Sequence, residues 1–264
     1  MNNKPLFSVI AMFNNNEERV WATLSEIESM LDGLRLYGPA ELILVDEASV
    51  DRTLYLLHEA AARLGRFQCR AFGARRGYSQ ALRVGLAASS GSIVCTLDGA
   101  STYRPAEMVR MIELMNLSGC DIVTGSPYHP WANLLGRHAP ARFLSKLINR
   151  VYRECTGTNL YCYTCFFRAC RREWLERARS AADGYAAVAE LLIEMARQGA
   201  SIVEYPISLT KANDGETTAQ TLEVVVEHLR VMRRLLLGKK PAVARVKRRD
   251  NPLAHWALTG RCMM

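Results

Sequence analysis

The sequence predicts an α/β fold in which a mostly parallel sheet is flanked by helices. Short apolar segments alternate with segments of helical periodicity through the first 126 residues, as in doubly wound sheets. Two of these apolar segments end in carboxylates, 41–45 before Asp46 and 92–97 before Asp98. Ligands of such sheets bind beyond the carboxyl ends of the strands, so we expect a polar ligand at this edge.

Each element of the first half rests on a local signal. Apolar runs predict strands, and a capping residue such as Ser49 or a first-turn proline such as Pro105 predicts a helix start. The predicted strands are 6–13, 41–45, 67–72, 92–97 and 121–126. The predicted helices are one ending near Leu31, one ending near Leu64, and those at 78–88 and 106–117.

The second half is less regular. Its pattern predicts helices at 139–154 and 186–198, an extended aromatic segment at 161–170, a strand at 202–207, a polar loop at 208–218 and a long helix at 219–237. The apolar residues of this last helix form one stripe: Leu222, Val225, Leu229, Met232 and Leu236. The stripe fits either a helix that packs on the domain or an interfacial helix on a membrane.

Composition indicates a globular chain with a substantial core, since 49% of the 264 residues are apolar. No run of eighteen apolar residues occurs, and the first residues lack the charged-then-apolar order of a signal peptide, so we expect a cytoplasmic location. The eight cysteines are then expected to be reduced core residues, including Cys162 and Cys165, whose spacing is otherwise typical of metal or redox pairs.

The positive charge is concentrated at the C-terminal end. Residues 230–264 carry ten Lys or Arg and one acid, while the chain as a whole has a net charge of +8. Such a cluster favours anionic lipid or nucleic acid, or else a solvated basic end. We expect no nucleic-acid partner, because the rest of the chain is nearly neutral and has no recognisable nucleic-acid-binding motif.

Seven short segments, taken in order, resemble the family 2 glycosyltransferases over residues 6–238, most closely the dolichol-phosphate mannosyltransferase and polyprenyl-phosphate glycosyltransferase branch. They are residues 8–14, 45–53, 75–83, 97–100, 121–126, 163–168 and 190–192. The resemblance implies a single domain with a nucleotide-sugar-binding fold of GT-A type, Rossmann-like in its sheet. It also implies a division into a catalytic domain at 1–218, an amphipathic helix at 219–238 and a basic tail at 239–264.

The resemblance implies a set of residues that bind the nucleotide sugar. They are Phe13, Asn15, Asp46, Glu47, Arg75, Gly77 and Asp98. A carboxylate at Asp46 or Glu47 can accept hydrogen bonds from the nucleobase or the ribose, although either residue could instead cap the following helix.

Asp98 matches the first acid of the family's Asp-x-Asp motif, which holds a divalent cation on the donor diphosphate. Ala100 stands in place of the second acid, so Mg2+ or Mn2+ would depend on Asp98 alone. Other departures from the family pattern are Ala11, Ala48 and Pro127.

For the acceptor, the resemblance implies a phosphate bound by Arg168 and by Lys211, which could otherwise be a solvated loop lysine. The implied function is transfer of a mannose-like hexose from a nucleotide sugar to a polyprenyl phosphate. Transfer would occur at the cytoplasmic membrane face, with residues 219–249 contacting anionic lipid or a membrane-embedded partner. The alternative is a binding or regulatory protein that keeps the fold without turnover, because its motif reads Asp-Gly-Ala.

Overall fold

A computed structural model describes residues 5–67, 69–74, 77–132, 139–209 and 218–237. The strands are β1 Phe7–Phe13, β2 Ala40–Glu47, β3 Arg70–Ala74, β4 Ile93–Asp98, β5 Ile122–Ser126, β6 Arg168–Arg171 and β7 Ile202–Pro206. The helices are α1 Val20–Leu34, α2 Thr53–Arg63, α3 Tyr78–Ala88, α4 Glu107–Ser118, α5 Ala139–Thr156, α6 Arg172–Arg177, α7 Ala187–Arg197 and α8 Thr218–Leu237. Arg75, Lys211 and the basic tail at 239–264 lie outside the described residues.

The seven strands form one sheet in the order β3-β2-β1-β4-β6-β5-β7. All neighbouring pairs are parallel except the two that involve β6, which is antiparallel to both β4 and β5. This arrangement confirms the predicted mostly parallel α/β sheet. The antiparallel strand β6 and the short helix α6 were not predicted, because they lie in or just after the aromatic segment at 161–170.

Alternate residues of the central strands face two separate cores. In β1, Val9 and Ala11 pack with α1, α2 and α4, while Ile10 and Met12 pack with α3 and α7 on the other face. Both sets are almost completely buried, which explains why the strands read as continuous apolar runs. Helices thus cover both faces of the sheet, and its carboxyl edge is left for the loops.

Helix α8 packs on the second core, against α5, by a face that shares only Val225 and Met232 with the predicted stripe. Val231, Met232 and Leu235 are buried, whereas Leu222, Leu229 and Leu236 are 58–67% exposed. The apolar residues of α8 therefore form two adjacent stripes, one facing the domain and one facing outward. No helix within the described ranges is both long enough and apolar enough to cross a bilayer.

Candidate active site

The loops after β1, β2 and β4 converge at the carboxyl edge of the sheet, where the strand order changes direction at β1. Strand β1 lies between β2 and β4, and the register places Phe13 beside Asp46 and Met12 beside Asp98. The two carboxylates predicted at one edge therefore flank the end of a single strand. This is the crevice in which open α/β sheets bind their ligands.

The backbone of these loops is locally strained. Asn15, Ala48 and Ser101 follow β1, β2 and β4, and each has a positive φ of 49–52°. They are the only non-glycine residues with positive φ in the described part of the chain. Such strain persists where the surroundings enforce it, and it clusters at functional sites.

Hydrogen bonds join the loop after β1 to the loop after β2. The Asn15 N–H donates to Ser49 Oγ at 2.9 Å, and the Asn15 side-chain oxygen accepts from the Val50 N–H at the same distance. The Asn14 amide donates to the Glu47 carbonyl at 2.6 Å. Asn15 is exposed and does not line the cavity itself, so it holds the rim of the site.

A cavity of about 230 Å³ lies at this edge of the sheet. Three of the predicted site residues, Phe13, Glu47 and Asp98, belong to its wall. The remaining wall residues are Met12, Asn14, Asn16, Tyr78, Gly99, Ala100, Phe166 and Tyr185. The wall thus combines one carboxylate from β2, one from β4, side-chain amides and aromatic rings.

Asp98 is the last residue of β4 and is held in place at the cavity. Its Oδ1 accepts a hydrogen bond from the Thr102 N–H at 2.9 Å. Burial raises the pKa of the Asp98 carboxyl above its ordinary value, while hydrogen bonds from Thr102 and the charge of Arg19 act in the opposite direction. The carboxylate is thus costly to keep ionised without a cationic partner.

Gly99 is required by the close approach of Phe13. A Cβ atom at Gly99 would lie 2.7 Å from Phe13 Cε1 and closer still to two other ring atoms. The backbone of Gly99 is fixed on both sides, because its N–H donates to the Met12 carbonyl and its carbonyl accepts from Thr23 Oγ1. The glycine therefore allows the Asp98 turn to pack against the floor of the cavity.

Asp46 and Glu47 have different environments. Asp46 is 2% exposed; its Oδ2 accepts from the Ser49 N–H at 3.1 Å, while its buried Oδ1 has no hydrogen-bond partner among the described residues. Glu47 lines the cavity and accepts from the Gly77 N–H at 2.8 Å, at the start of α3. Gly77 has a φ of 122° and packs against the Asp183 carbonyl, so glycine is needed there.

Three aromatic residues of the cavity wall were not predicted as site residues. The ring of Phe166 lies 5.8 Å from the ring of Tyr78 and 6.3 Å from that of Tyr185. Phe166 stands in one of the segments that carry the resemblance, but nothing local in the sequence marks it. Tyr185 is more than 80 residues from Asp98 along the chain, and only the fold brings them to one cavity.

Arg168 does not line the cavity. It begins β6, is 5% exposed, and donates to Thr124 Oγ1, the Val188 carbonyl and the Tyr163 carbonyl at 2.7–3.1 Å. Its role in binding the acceptor phosphate stays a prediction, and this geometry does not support it. The guanidinium instead joins β5, the start of α7 and the segment before β6.

The described residues contain no cluster of three His, Cys, Asp or Glu side chains that could hold a metal ion. The wall offers two carboxylates, Asp98 and Glu47, and Ala100 offers no ligand. Mg2+ is commonly held by one or two carboxylates together with substrate phosphates. The wall therefore fits a cation that arrives with a diphosphate, not one held by protein groups alone.

The sheet order, the antiparallel sixth strand and the loops around β1 define a GT-A type nucleotide-sugar-binding fold. The profile of glycosyl transferase family 2 matches residues 8–179, which is more than half of the chain. The chain therefore belongs to glycosyl transferase family 2.

Curated relatives lie in the polyprenyl-phosphate branch of the family. The undecaprenyl-phosphate 4-deoxy-4-formamido-L-arabinose transferase of Aeromonas hydrophila is 31% identical over 175 residues, 65% of this chain and 50% of the relative. The polyprenol monophosphomannose synthase of Mycolicibacterium smegmatis is 31% identical over 182 residues, 66% of this chain and 62% of the relative. The matches thus span about half to three fifths of these relatives' length.

Solved structures share the fold at lower identity. A glucosyl-3-phosphoglycerate synthase from Mycobacterium tuberculosis, solved with Mn2+, UDP and glucosyl-3-phosphoglycerate, superposes with a TM-score of 0.60 at 21% identity, covering 88% of this chain and 79% of that one. The mannosyltransferase PcManGT from Pyrobaculum calidifontis, solved with GDP-Man and Mn2+, gives 0.60 at 18% identity, with coverage of 90% and 66%. At these identities the likeness shows the fold alone.

Proposed function

We propose that the protein transfers a hexose from a nucleotide sugar to a polyprenyl phosphate. The observation that carries the proposal is the cavity at the carboxyl edge of β1, β2 and β4, with Asp98 on its wall and Asp46 beside it. Membership of family 2 and the acceptor class named in the curated relatives support it.

The donor nucleotide binds at the β2 side of the cavity. Asp46 Oδ1, which has no partner among the described residues, is an acceptor for a nucleobase N–H or a ribose hydroxyl, since a buried carboxylate oxygen without a partner is unfavourable until it accepts a hydrogen bond. Glu47 and Asn15 hold the adjoining loops through their hydrogen bonds. Arg75, which precedes the start of α3, contacts the diphosphate in this proposal, as expected near a helix N-terminus.

Asp98 is the group that would hold Mg2+ or Mn2+ on the donor diphosphate. A divalent cation there would neutralise charge on the leaving nucleoside diphosphate. A cationic partner also compensates the burial that raises the pKa of the Asp98 carboxyl. The chain's own contribution is to fix that carboxylate through Thr102 and Gly99.

In the transfer step, an ionised phosphate oxygen of the acceptor attacks the anomeric carbon of the sugar. The bond from that carbon to the donor diphosphate breaks, and the nucleoside diphosphate leaves with the bonding electron pair. This nucleophile needs no strong general base, so the protein mainly positions and stabilises charge. Lys211 is the proposed acceptor-phosphate ligand, while Arg168 acts behind the cavity wall through Tyr163 and Val188.

We further propose that the outer face of α8 contacts an anionic membrane. Leu222, Leu229 and Leu236 are exposed along this face, and Arg230 and Arg233 are exposed beside them. Exposed leucines next to arginines suit the boundary between acyl chains and anionic headgroups. Residues 239–249 continue the positive charge, in keeping with a division into a catalytic domain, this helix and a basic tail.

The membrane contact is tested by sedimentation with vesicles that contain phosphatidylglycerol, compared with vesicles of neutral lipid. Replacing both Leu229 and Leu236 by Asn should weaken binding to the anionic vesicles at least about tenfold, since each leucine contributes about 2 kcal/mol when fully buried. Leu36→Asn is the matched control, because Leu36 is 86% exposed elsewhere on the surface. Unchanged vesicle binding, with a loss of self-association instead, would assign the outer face to a second copy.

Transfer itself is tested with labelled GDP- and UDP-sugars and a polyprenyl phosphate in vesicles, with and without Mg2+ or Mn2+. Asp98→Asn should lower turnover about 100-fold or more, the scale on which electrostatic transition-state groups act. Asp32→Asn, at an exposed acid near the far end of α1, should leave turnover unchanged.

The same experiment distinguishes the proposed transferase from the alternative function, a binding or regulatory protein without turnover. A binding or regulatory protein is favoured by Ala100 and by the absence of a three-ligand metal cluster among the described residues. It predicts calorimetric binding of GDP or UDP with no transfer from any donor sugar. Loss of nucleotide binding in Asp98→Asn without any turnover in the wild type would support that reading.

A further inference from the structure

The segment between α6 and α7, residues 178–186, forms one wall of the cavity through Tyr185. The Tyr185 hydroxyl donates to the Thr164 carbonyl at 3.0 Å, and its ring packs against Phe166. This wall comes from the chain after β6, whereas Asp46 lies near the end of β2 and Asn15 follows β1, on the other side of β4 in the strand order. Tyr185 is thus placed to contact a ligand on the side of the cavity opposite the proposed nucleotide site.

The beginning of this segment is held by Glu190. Its Oε2 accepts from the Ser180 hydroxyl at 2.6 Å and from the N–H groups of Ala181 and Ala182 at 2.9 Å. Its Oε1 accepts two hydrogen bonds from the Arg234 guanidinium of α8, at 2.9 and 3.1 Å. Burial alone would raise the pKa of Glu190, but these hydrogen bonds outweigh it and lower the pKa.

The end of the segment is held by α8 directly. The Ala186 N–H donates to Glu227 Oε2 at 3.4 Å, and a Cβ atom at Gly184 would lie only 2.5 Å from the carboxylate carbon of Glu227. The ring of His228 lies 6.5 Å from the ring of Tyr185. Helix α8 therefore supports the segment from behind at both ends, while Tyr185 faces the cavity.

We propose that α8 positions Tyr185 for the acceptor, with Glu190, Glu227 and Arg234 as positioning residues; this inference rests on the proposed transferase function. The same helix carries the outward-facing leucines and Arg234. A contact at the outer face of α8 is therefore linked through this helix to the segment that carries Tyr185. Releasing the segment should impair use of the acceptor more than it impairs nucleotide binding.

The test compares Arg234→Gln with Arg150→Gln, a matched control at an exposed arginine of α5. Transfer is measured to a short, water-soluble polyprenyl phosphate without vesicles, so that membrane binding does not enter. Arg234→Gln should lower kcat/KM for the acceptor about 10- to 100-fold, as small misplacements do. The calorimetric affinity for UDP or GDP should fall less than kcat/KM, because the segment meets the nucleotide side through Asp183, whose carbonyl packs against Gly77 and accepts from the Ser79 N–H. Arg234→Lys should recover part of the loss, since it keeps one charge.

Hydrogen exchange at the Ala181 and Ala182 amides provides an independent readout, and both should exchange faster in Arg234→Gln. Unchanged exchange at these two amides would overturn the inference that α8 supports the segment. Faster exchange with kcat/KM equal to that of Arg150→Gln would overturn the link to the acceptor. If the wild-type protein transfers no sugar to any acceptor, the proposed function fails, and exchange alone then decides whether α8 holds the segment.

Discussion

Replacing Gly99 by alanine should both destabilise the protein and disturb the cavity. Ordinary carbon contacts are about 3.5–4.0 Å, so a Cβ that would lie 2.7 Å from Phe13 Cε1 and closer still to two other ring atoms requires a shift of more than about 1 Å. The Gly99 backbone cannot provide it without losing its hydrogen bonds to Met12 and Thr23. Phe13 is 1% exposed in a close-packed core, so its ring also has little room.

Overpacking of this kind costs about 1–3 kcal/mol, and the fixed backbone places Gly99→Ala in the upper half of that range. At about 2 kcal/mol the midpoint of thermal unfolding should fall by about 4–8 °C. Because Phe13 lines the cavity, nucleotide affinity should fall as well. Urea denaturation and calorimetric titration with UDP and GDP measure the two effects.

Gly65→Ala is the matched control, since a Cβ there meets nothing within 4 Å. Adding Phe13→Leu to Gly99→Ala should recover part of the stability by removing ring atoms, which a double-mutant cycle would show as a favourable coupling. The reasoning is refuted if Gly99→Ala matches Gly65→Ala in both stability and nucleotide affinity.

Three further predictions concern stability. Burial lowers the pKa of His228 from 6.5 to about 4, so the unfolded chain takes up this proton before the folded protein does as the pH falls. The free energy of unfolding should therefore drop by up to about 3 kcal/mol between pH 6.5 and 4. Urea titrations of His228→Gln at several pH values should lack this drop. Glu41→Gln should cost about 1–3 kcal/mol at pH 7, because the buried carboxylate accepts from Ser8 and from the Ser90 N–H; unaltered denaturation would contradict this. Ala48→Gly should stabilise by about 1 kcal/mol by relieving a φ of 52°, and a lower unfolding midpoint would contradict it.

The strand ends were predictable because they depend on local patterns. Apolar runs that stop at a carboxylate mark the carboxyl edge of a parallel sheet, so the meeting of Asp46 and Asp98 at one edge followed from order and direction alone. The distant wall of the cavity was not predictable in this way. Tyr185 reaches it through the packing of segment 178–186 on α8, which no local period reports.

Arg168 and α8 show a second limit of sequence patterns. An arginine near an aromatic segment is compatible with a phosphate site, but the register of β6 turns Arg168 toward Thr124 and the interior. In α8, the 3.6-residue period correctly predicted a helix. The period alone does not show whether the stripe with Leu229 or the stripe with Val231 faces the domain. Buried His228, hydrogen-bonded to Tyr152 at 2.8 Å, lies on the packed face and interrupts its apolar pattern.

Two unfavourable features coincide at the proposed donor site. One is the positive φ angles of Asn15, Ala48 and Ser101, and the other is Asp46 Oδ1, which has no partner in the part of the chain that the structure describes. Each reduces stability, and all lie around the ends of β1, β2 and β4. A ligand that donates a hydrogen bond to Asp46 would offset the cost of its buried oxygen. The ligand would also gain affinity because the loops of the site are already held in place. This argument applies equally to an enzyme and to a binding protein. The distinction therefore depends on whether the wild-type protein transfers sugar to an acceptor. Where it does, the effect of Arg234→Gln on transfer tests the acceptor side, where α8 holds the segment that carries Tyr185.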